Sequence, residues 1–183
     1  MKKWIGKTIF KLAGWQYQVD ESLLEDKQVI IGFEHTSNLD AILAYSIFGI
    51  LDLKAHVLIK QDWFRGPMKP IMTKLGGIPV DRSNNKDVVG QMVDVFAQHE
   101  KFTLVIAPEA TRAKNGVERK PIRTGFWHIA KAANVPIVLI YAHAKTKKGG
   151  LFAKIYPTDL KSDLIKIKQL YAELGIDVRC FKS

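Results

Sequence analysis

The sequence predicts an α/β fold, with a mostly parallel central sheet flanked by helices and an amphipathic helix at the N-terminus. Three observations lead there. Short apolar runs alternate with helical patterns along the chain, and connections of helical length between strands imply βαβ units. The runs at 29–33 and 136–142 are apolar enough to be buried strands. Finally, 183 residues with 47% hydrophobic and 25% charged side chains suit one compact domain over 1–183, with ordinary globular composition.

The first fifteen residues, MKKWIGKTIFKLAGW, are too polar for a secretory signal peptide. On a helical wheel Trp4, Ile5, Thr8, Ile9, Leu12 and Trp15 share one broad face, with Lys3, Lys7 and Lys11 beside it. That pattern suits a helix over 1–16 lying in a membrane interface, tryptophans at headgroup depth and lysines toward anionic lipid. A helix that packs its apolar face on the domain is the other reading. Two tryptophans in so short a basic helix favour the first.

The following elements come in order. A strand at 29–33 leads to a helix over 38–51, capped near Ser37 or Asn38. A strand at 56–60 runs into a loop with Trp63, Gly66 and Pro67, then a short helix ending near Leu75 and Gly76. A strand at 78–81, a helix over 86–99 and a strand at 102–107 follow. A helix over 124–133 precedes the apolar strand at 136–142. The basic stretch 145–150 reads as a turn into a strand at 151–156, and a last helix spans 160–174. There is no internal repeat and no dividing linker.

Charge narrows the partners. Lys and Arg number 28 against 18 Asp and Glu, a formal net charge of +10, and the pI is about 9.6. Such a balance asks for a polyanion: nucleic acid, a membrane surface or a phosphorylated ligand. One cysteine, Cys180, excludes a disulfide scaffold or a Cys-based zinc site within one chain. No metal site is expected. No run of about 18 apolar residues suggests a spanning helix.

In a parallel sheet, ligands bind in the crevice beyond the carboxyl ends of the strands. Four polar clusters follow strands here: His35 to Asp40, Lys60, Asp81 with Arg82, and Glu109 to Arg112. His35 and Asp40 are the most informative pair. An imidazole accepts a proton at one nitrogen when its other N–H is held, which a carboxylate does well. Taken alone, His35 reads equally as a helix-capping residue. No serine or cysteine stands as an enzyme nucleophile, and there is no G-x-S-x-G elbow. A His–Asp pair without a nucleophile suits activation of a substrate hydroxyl or of water. Lys60, Arg82 and Arg112 have the donors that a phosphate needs.

Four ordered blocks now stand out: HTSNLD (35–40), GIPVDR (77–82), EATR (109–112) and VPIV (135–138). With the intervening stretch 60–77, they resemble the glycerolipid acyltransferases of the 1-acylglycerol-3-phosphate acyltransferase kind, over roughly 29–141. The resemblance implies that fold and a transfer of a fatty acyl group from an acyl thioester to the hydroxyl of a lysophospholipid. It implies that His35 is the general base, oriented by Asp40, and that amides opening the 38–51 helix help hold the oxyanion. It places Arg82, Glu109 and Arg112 on the glycerol phosphate, with Lys60 as a further phosphate contact. Gly77 would allow a close backbone approach, and Pro136 would shape the site. Two positions depart from the pattern. Ala110 stands where glycine is usual, and Pro79 where an aromatic is commoner; both bear on the acceptor's head group.

The resemblance implies no cofactor; acyl-CoA or acyl carrier protein serves as donor substrate. The chain is expected in the cytoplasm, at the inner face of the membrane. Other lysolipid acceptors are the nearest alternative. A non-catalytic lipid-binding module has no need of the His–Asp pair, and a nucleic-acid binder has only the net charge behind it.

Overall fold

The computed structural model describes residues 3–33, 38–80, 85–108, 122–178 and 181. Among them, seven strands form one sheet in the order β1-β7-β6-β2-β5-β3-β4. The strands are β1 (Gln16–Gln18), β2 (Lys27–Gly32), β3 (Ala55–Lys60), β4 (Gly77–Val80), β5 (Phe102–Ile106), β6 (Ile137–His143) and β7 (Lys148–Ile155). The helices are α1 (Lys3–Ala13), α2 (Asn38–Ile50), α3 (Met68–Lys74), α4 (Asn85–Gln98), α5 (Gly125–Ala132) and α6 (Leu160–Glu173). All pairings are parallel except β6 with β7.

Strand alternation divides the core in two. Val29 and Ile31 of β2 and Ile137, Leu139 and Tyr141 of β6 face α4, α5 and α6. Ile30, Val138 and Ile140 face the other way, onto Phe10 of α1 and Leu43, Ile47 and Phe48 of α2. The central strands are therefore covered on both sides, which is why their sequences are nearly continuous apolar runs. Among the described residues, no helix is long and apolar enough to cross a membrane.

Helix ends follow local chemistry. Gly14 adopts φ 68°, its N–H bonds to the Lys11 carbonyl, and Trp15 N–H reaches back to Phe10 O at 2.9 Å. This left-handed closure satisfies carbonyls that the helix leaves open. Asp52, Asn134 and Gly175 close α2, α5 and α6 in the same way, each with positive φ.

The closure at Gly14 corrects the reading of the N-terminal helix. Trp15 lies beyond α1 and is turned into the core beside Phe10. The face of α1 that is buried consists of Gly6 and Phe10, while Trp4 and Leu12 stand exposed at 64% and 83%. Gly6 is needed there. A Cβ on it would sit 2.5 Å from the Ser46 carbonyl oxygen of α2, so the two helices cross almost backbone to backbone.

At the far side, α6 is fixed by Asp163. Its carboxylate accepts from Trp127 Nε1 at 2.8 Å, from Thr158 N–H at 2.7 Å and from the Thr158 hydroxyl at 3.1 Å. A buried carboxylate with three donors is a satisfied one. Strand β1 was not expected from the sequence; its three residues are all exposed, and it exists by pairing with β7.

His56 sits near the amino end of β3, stacked on Phe102 at 4.5 Å between ring centroids. Its Nδ1 is buried with no hydrogen-bond partner among the described residues. Burial lowers its pKa; Lys54 and His99 push the same way, and a hydrogen bond to the Thr103 backbone opposes them. Because the folded value lies below the unfolded one, the unfolded chain binds the extra proton more readily. The stabilising contribution is present above about pH 6.5 and is lost as pH falls through the lowered value. Urea midpoints measured between pH 7.5 and 5.5 are expected to fall further for the unaltered protein than for His56→Leu. Parallel curves would show that His56 is indifferent to folding.

Candidate active site

The carboxyl ends of the parallel strands meet at one edge, where Lys60 is level with Val80, Ile31 with Ile106 and Gly32 with Ile140. Two neighbours in the middle of this edge behave differently from the rest. Strand β2 connects through α2 to β3 on one side, whereas β5 connects through α5 to β6 on the other. The first connection passes β5 and the second passes β2, and α2 and α5 pack on opposite faces of the sheet. The edge where both strands end is the one at which parallel sheets bind ligands.

The sequence blocks are distributed along that edge. HTSNLD spans the passage from the end of β2 to the first turn of α2. Asn38, Leu39 and Asp40 open the helix; His35 lies outside the described residues, as does the Asp40 side chain. Asp81 and Arg82 follow Val80 at the end of β4, and Glu109 to Arg112 follow the end of β5 after Ala107 and Pro108. These too are outside the described residues. Four chemistry-bearing segments thus follow strands at one edge, two of them after the adjacent strands β2 and β5. The first turn of α2 presents free backbone N–H groups and the positive end of the helix dipole there.

Lys60 ends β3 at this edge, and its side chain is paired with Asp62, which Arg65 approaches at 3.6 Å. The lysine is 61% exposed. An exposed pair of this kind is weak, so a phosphate can compete for it.

Gly77 allows a close approach, as expected, but the approaching groups belong to the protein. A Cβ on it would lie 2.7 Å from the Met72 carbonyl oxygen and 3.0 Å from Phe64 Cζ. Its service is to seat α3 and the Gln61–Phe64 turn against the sheet. Pro79 lies on β4, the last strand of the sheet, where a missing N–H costs no ladder bond on the open side.

Pro136 is not at the crevice. Strand β6 runs parallel to β2, so the residue before Ile137 lies at the opposite, amino edge. Its carbonyl accepts from Val29 N–H at 2.9 Å, which holds the start of β2 in register. Pro136 therefore supports the central strand pair rather than lining the site.

Tyr171 of α6 had not been singled out. It is fully buried, and its hydroxyl is shared between Ile140 O at 2.8 Å and Ile31 O at 3.1 Å. Those carbonyls belong to β6 and β2 just below the edge. Its ring meets Phe33 edge-on at 4.9 Å, two residues before His35. Burial raises its pKa well above the ordinary phenol range, so it remains a neutral donor. A tyrosine within an apolar helical stripe was the available signal, and it does not say which carbonyls it will meet.

A family model described as Acyltransferase matches residues 15–142, from just before β1 to the next-to-last residue of β6. The chain belongs to the acyltransferase family that this model describes. The matched stretch contains the whole edge just described, with both β2 and β5. No curated protein matches this acyltransferase in sequence. Its fold is similar to the crystal structure of the 1-acyl-sn-glycerophosphate (LPA) acyltransferase PlsC from Thermotoga maritima, with a TM-score of 0.60 and 15% identity. The similarity covers 97% of this chain and 79% of that one. The mostly parallel sheet flanked by helices is thus the architecture of that fold, with α1 leading into it. As an acyltransferase, the enzyme moves an acyl group from a donor to an acceptor.

Proposed function

We propose that this acyltransferase moves a fatty acyl group from an acyl thioester to the free hydroxyl of 1-acylglycerol-3-phosphate. One observation carries the reading. The His35 block and the Glu109–Arg112 block follow the carboxyl ends of two adjacent parallel strands, β2 and β5, which supports a base and phosphate-binding cations acting at one edge.

In the proposed mechanism His35, oriented by Asp40, takes the proton of the acceptor hydroxyl. The oxygen attacks the thioester carbonyl, and the carbonyl electrons move onto oxygen. The amides that open α2 stabilise that oxyanion. On collapse the carbon–sulfur bond breaks, and His35 returns its proton to the departing thiolate. Arg82, Glu109 and Arg112 hold and orient the glycerol phosphate, with Lys60 as a further cation. The donor is acyl-CoA or an acyl carrier protein, and no cofactor takes part. The enzyme sits peripherally on the inner face of the membrane, with α1 as its interfacial helix.

Ala110 and Pro79 favour a second acceptor class, since both change the wall beside the phosphate site. The test covers both. Purified enzyme is given acyl-CoA or acyl carrier protein thioester with lysophosphatidate, and products are read by mass spectrometry. Phosphatidate is expected. Product from a different lysolipid alone would move the assignment to that head group, and no product from any pairing would overturn the reading.

A further inference from the structure

The exposed apolar side chains are unevenly placed. Trp4 and Leu12 of α1, Tyr45 of α2, Trp63 of the Gln61–Phe64 turn, and Ile71 and Leu75 in and just after α3 all stand open to solvent. The opposite layer, α4 with α5 and α6, shows one large exposed hydrophobic among its described residues, Ile165. The first six belong to one side of the sheet. Gly6 seats α1 on Ser46 and Ile50 of α2. The Tyr45 hydroxyl donates to Leu75 O at 2.8 Å, which ties α2 to the end of α3. Gly77 in turn has Met72 and Phe64 against the same face of β4. Helices α1, α2 and α3 therefore form one continuous layer, with α2 in the middle.

Charge follows the same division. Helices α1 and α3 contain Lys3, Lys7, Lys11, Lys69 and Lys74 and no carboxylate. The one acid of the intervening turn, Asp62, is paired with Lys60 and Arg65. On the opposite layer, lysines are interleaved with the exposed acids Asp94 and Glu173. Exposed apolar side chains bordered by an excess of lysine are complementary to a surface that is anionic outside and apolar beneath. A protein partner offers a few acidic groups at fixed points; a bilayer offers acidic headgroups throughout and a place for two separated tryptophans at headgroup depth.

We infer that the outer face of the α1–α2–α3 layer, including Trp63, lies on an anionic phospholipid bilayer, with α3 and the Trp63 turn as a second foothold. This goes beyond an interfacial α1, and it rests on the proposed function only in taking a lipid surface as the occupant. Two footholds on either side of α2 set an orientation, which one helix by itself cannot. Trp63 follows the end of β3 at the catalytic edge, and α1 also ends near that edge, where Gln16 pairs with Lys148. Docking by this face therefore brings the mouth of the crevice down to headgroup level, where a lysolipid can enter without leaving the membrane.

The test uses the full chain and extruded vesicles of phosphatidylglycerol and phosphatidylcholine. Trp63→Ser with Ile71→Ser is expected to lower the partition coefficient by about tenfold, a loss similar to that of Trp4→Ser with Leu12→Ser. All four side chains are exposed, so melting curves are expected to stay unchanged. In Trp4→Phe protein, brominated lipid is expected to quench fluorescence still, because Trp63 remains at the surface while Trp15 and Trp127 are buried. Full vesicle binding by the Trp63/Ile71 variant, or loss of quenching in Trp4→Phe, would confine docking to α1 and overturn the inference. A concentration-dependent dimer that these variants dissociate, with vesicle binding unaffected, would assign the face to a second copy instead. Turnover of a short-chain lysophosphatidate and donor without vesicles reports separately on the function, so failure of docking and failure of the catalytic reading give different results.

Discussion

His35→Ala is expected to lower kcat by about 10²–10⁴-fold while leaving the melting temperature and circular dichroism unchanged. The size follows from the role. An alcohol is a poor nucleophile at neutral pH, and the sequence carries no G-x-S-x-G elbow to signal an acyl-enzyme route. The whole activation of the hydroxyl then falls on one base. His35 follows the carboxyl end of β2, and that strand is held by β5 and β6 on its two sides. Asp40→Asn should give a smaller loss in kcat with KM little changed, because it acts on the imidazole and not on the substrate. Steady-state assays of both variants with lysophosphatidate decide the matter. Undiminished turnover in His35→Ala would sink the mechanism.

Tyr171→Ala is expected to cost roughly 3–5 kcal/mol of stability and to lower Tm by roughly 10 °C or more. Its ring fills the space between Phe33 and Phe152, touching both at 4.9 Å between centroids. Its hydroxyl serves two buried carbonyls, Ile31 O and Ile140 O. Tyr171→Phe separates the two contributions. It keeps the packing and leaves those carbonyls without their donor, a loss of about 1–3 kcal/mol. It also loosens the end of β2 directly before the His35 block, so kcat is expected to drop severalfold with KM nearly unchanged. Thermal melts and kinetics on the Phe variant check both. A Phe variant that melts and turns over like the unaltered enzyme would make the hydroxyl incidental.

Much of the fold was legible because its signals are local. The βαβ rhythm, the helix stop near Gly76 and the apolar runs each lie within a dozen residues of chain, so one-dimensional reading finds them. The helix at the N-terminus was also legible, but its orientation was not. Wheel geometry put Trp15 with Trp4, and the left-handed turn at Gly14 sent the two tryptophans to opposite environments. Likewise β1 has no burial of its own to announce it; Gln16, Tyr17 and Gln18 are strand residues because Lys148, Gly149 and Gly150 are beside them.

The candidate site divides in the same way. From sequence alone came the residue types and their order: a histidine and aspartate in HTSNLD, then Arg82, then Glu109 with Arg112, and with them the family and the class of reaction. What the tertiary structure decided is which of these belong together. Strand order sets β2 beside β5, and strand direction puts Lys60 at the working edge and Pro136 at the other. It also brought Tyr171 from near the end of the chain to brace the strand that precedes His35. The physical reason is range. Capping, periodicity and motif spacing act between near neighbours in the chain, whereas an edge, a crevice or a docking face is made by segments that meet only when the sheet closes.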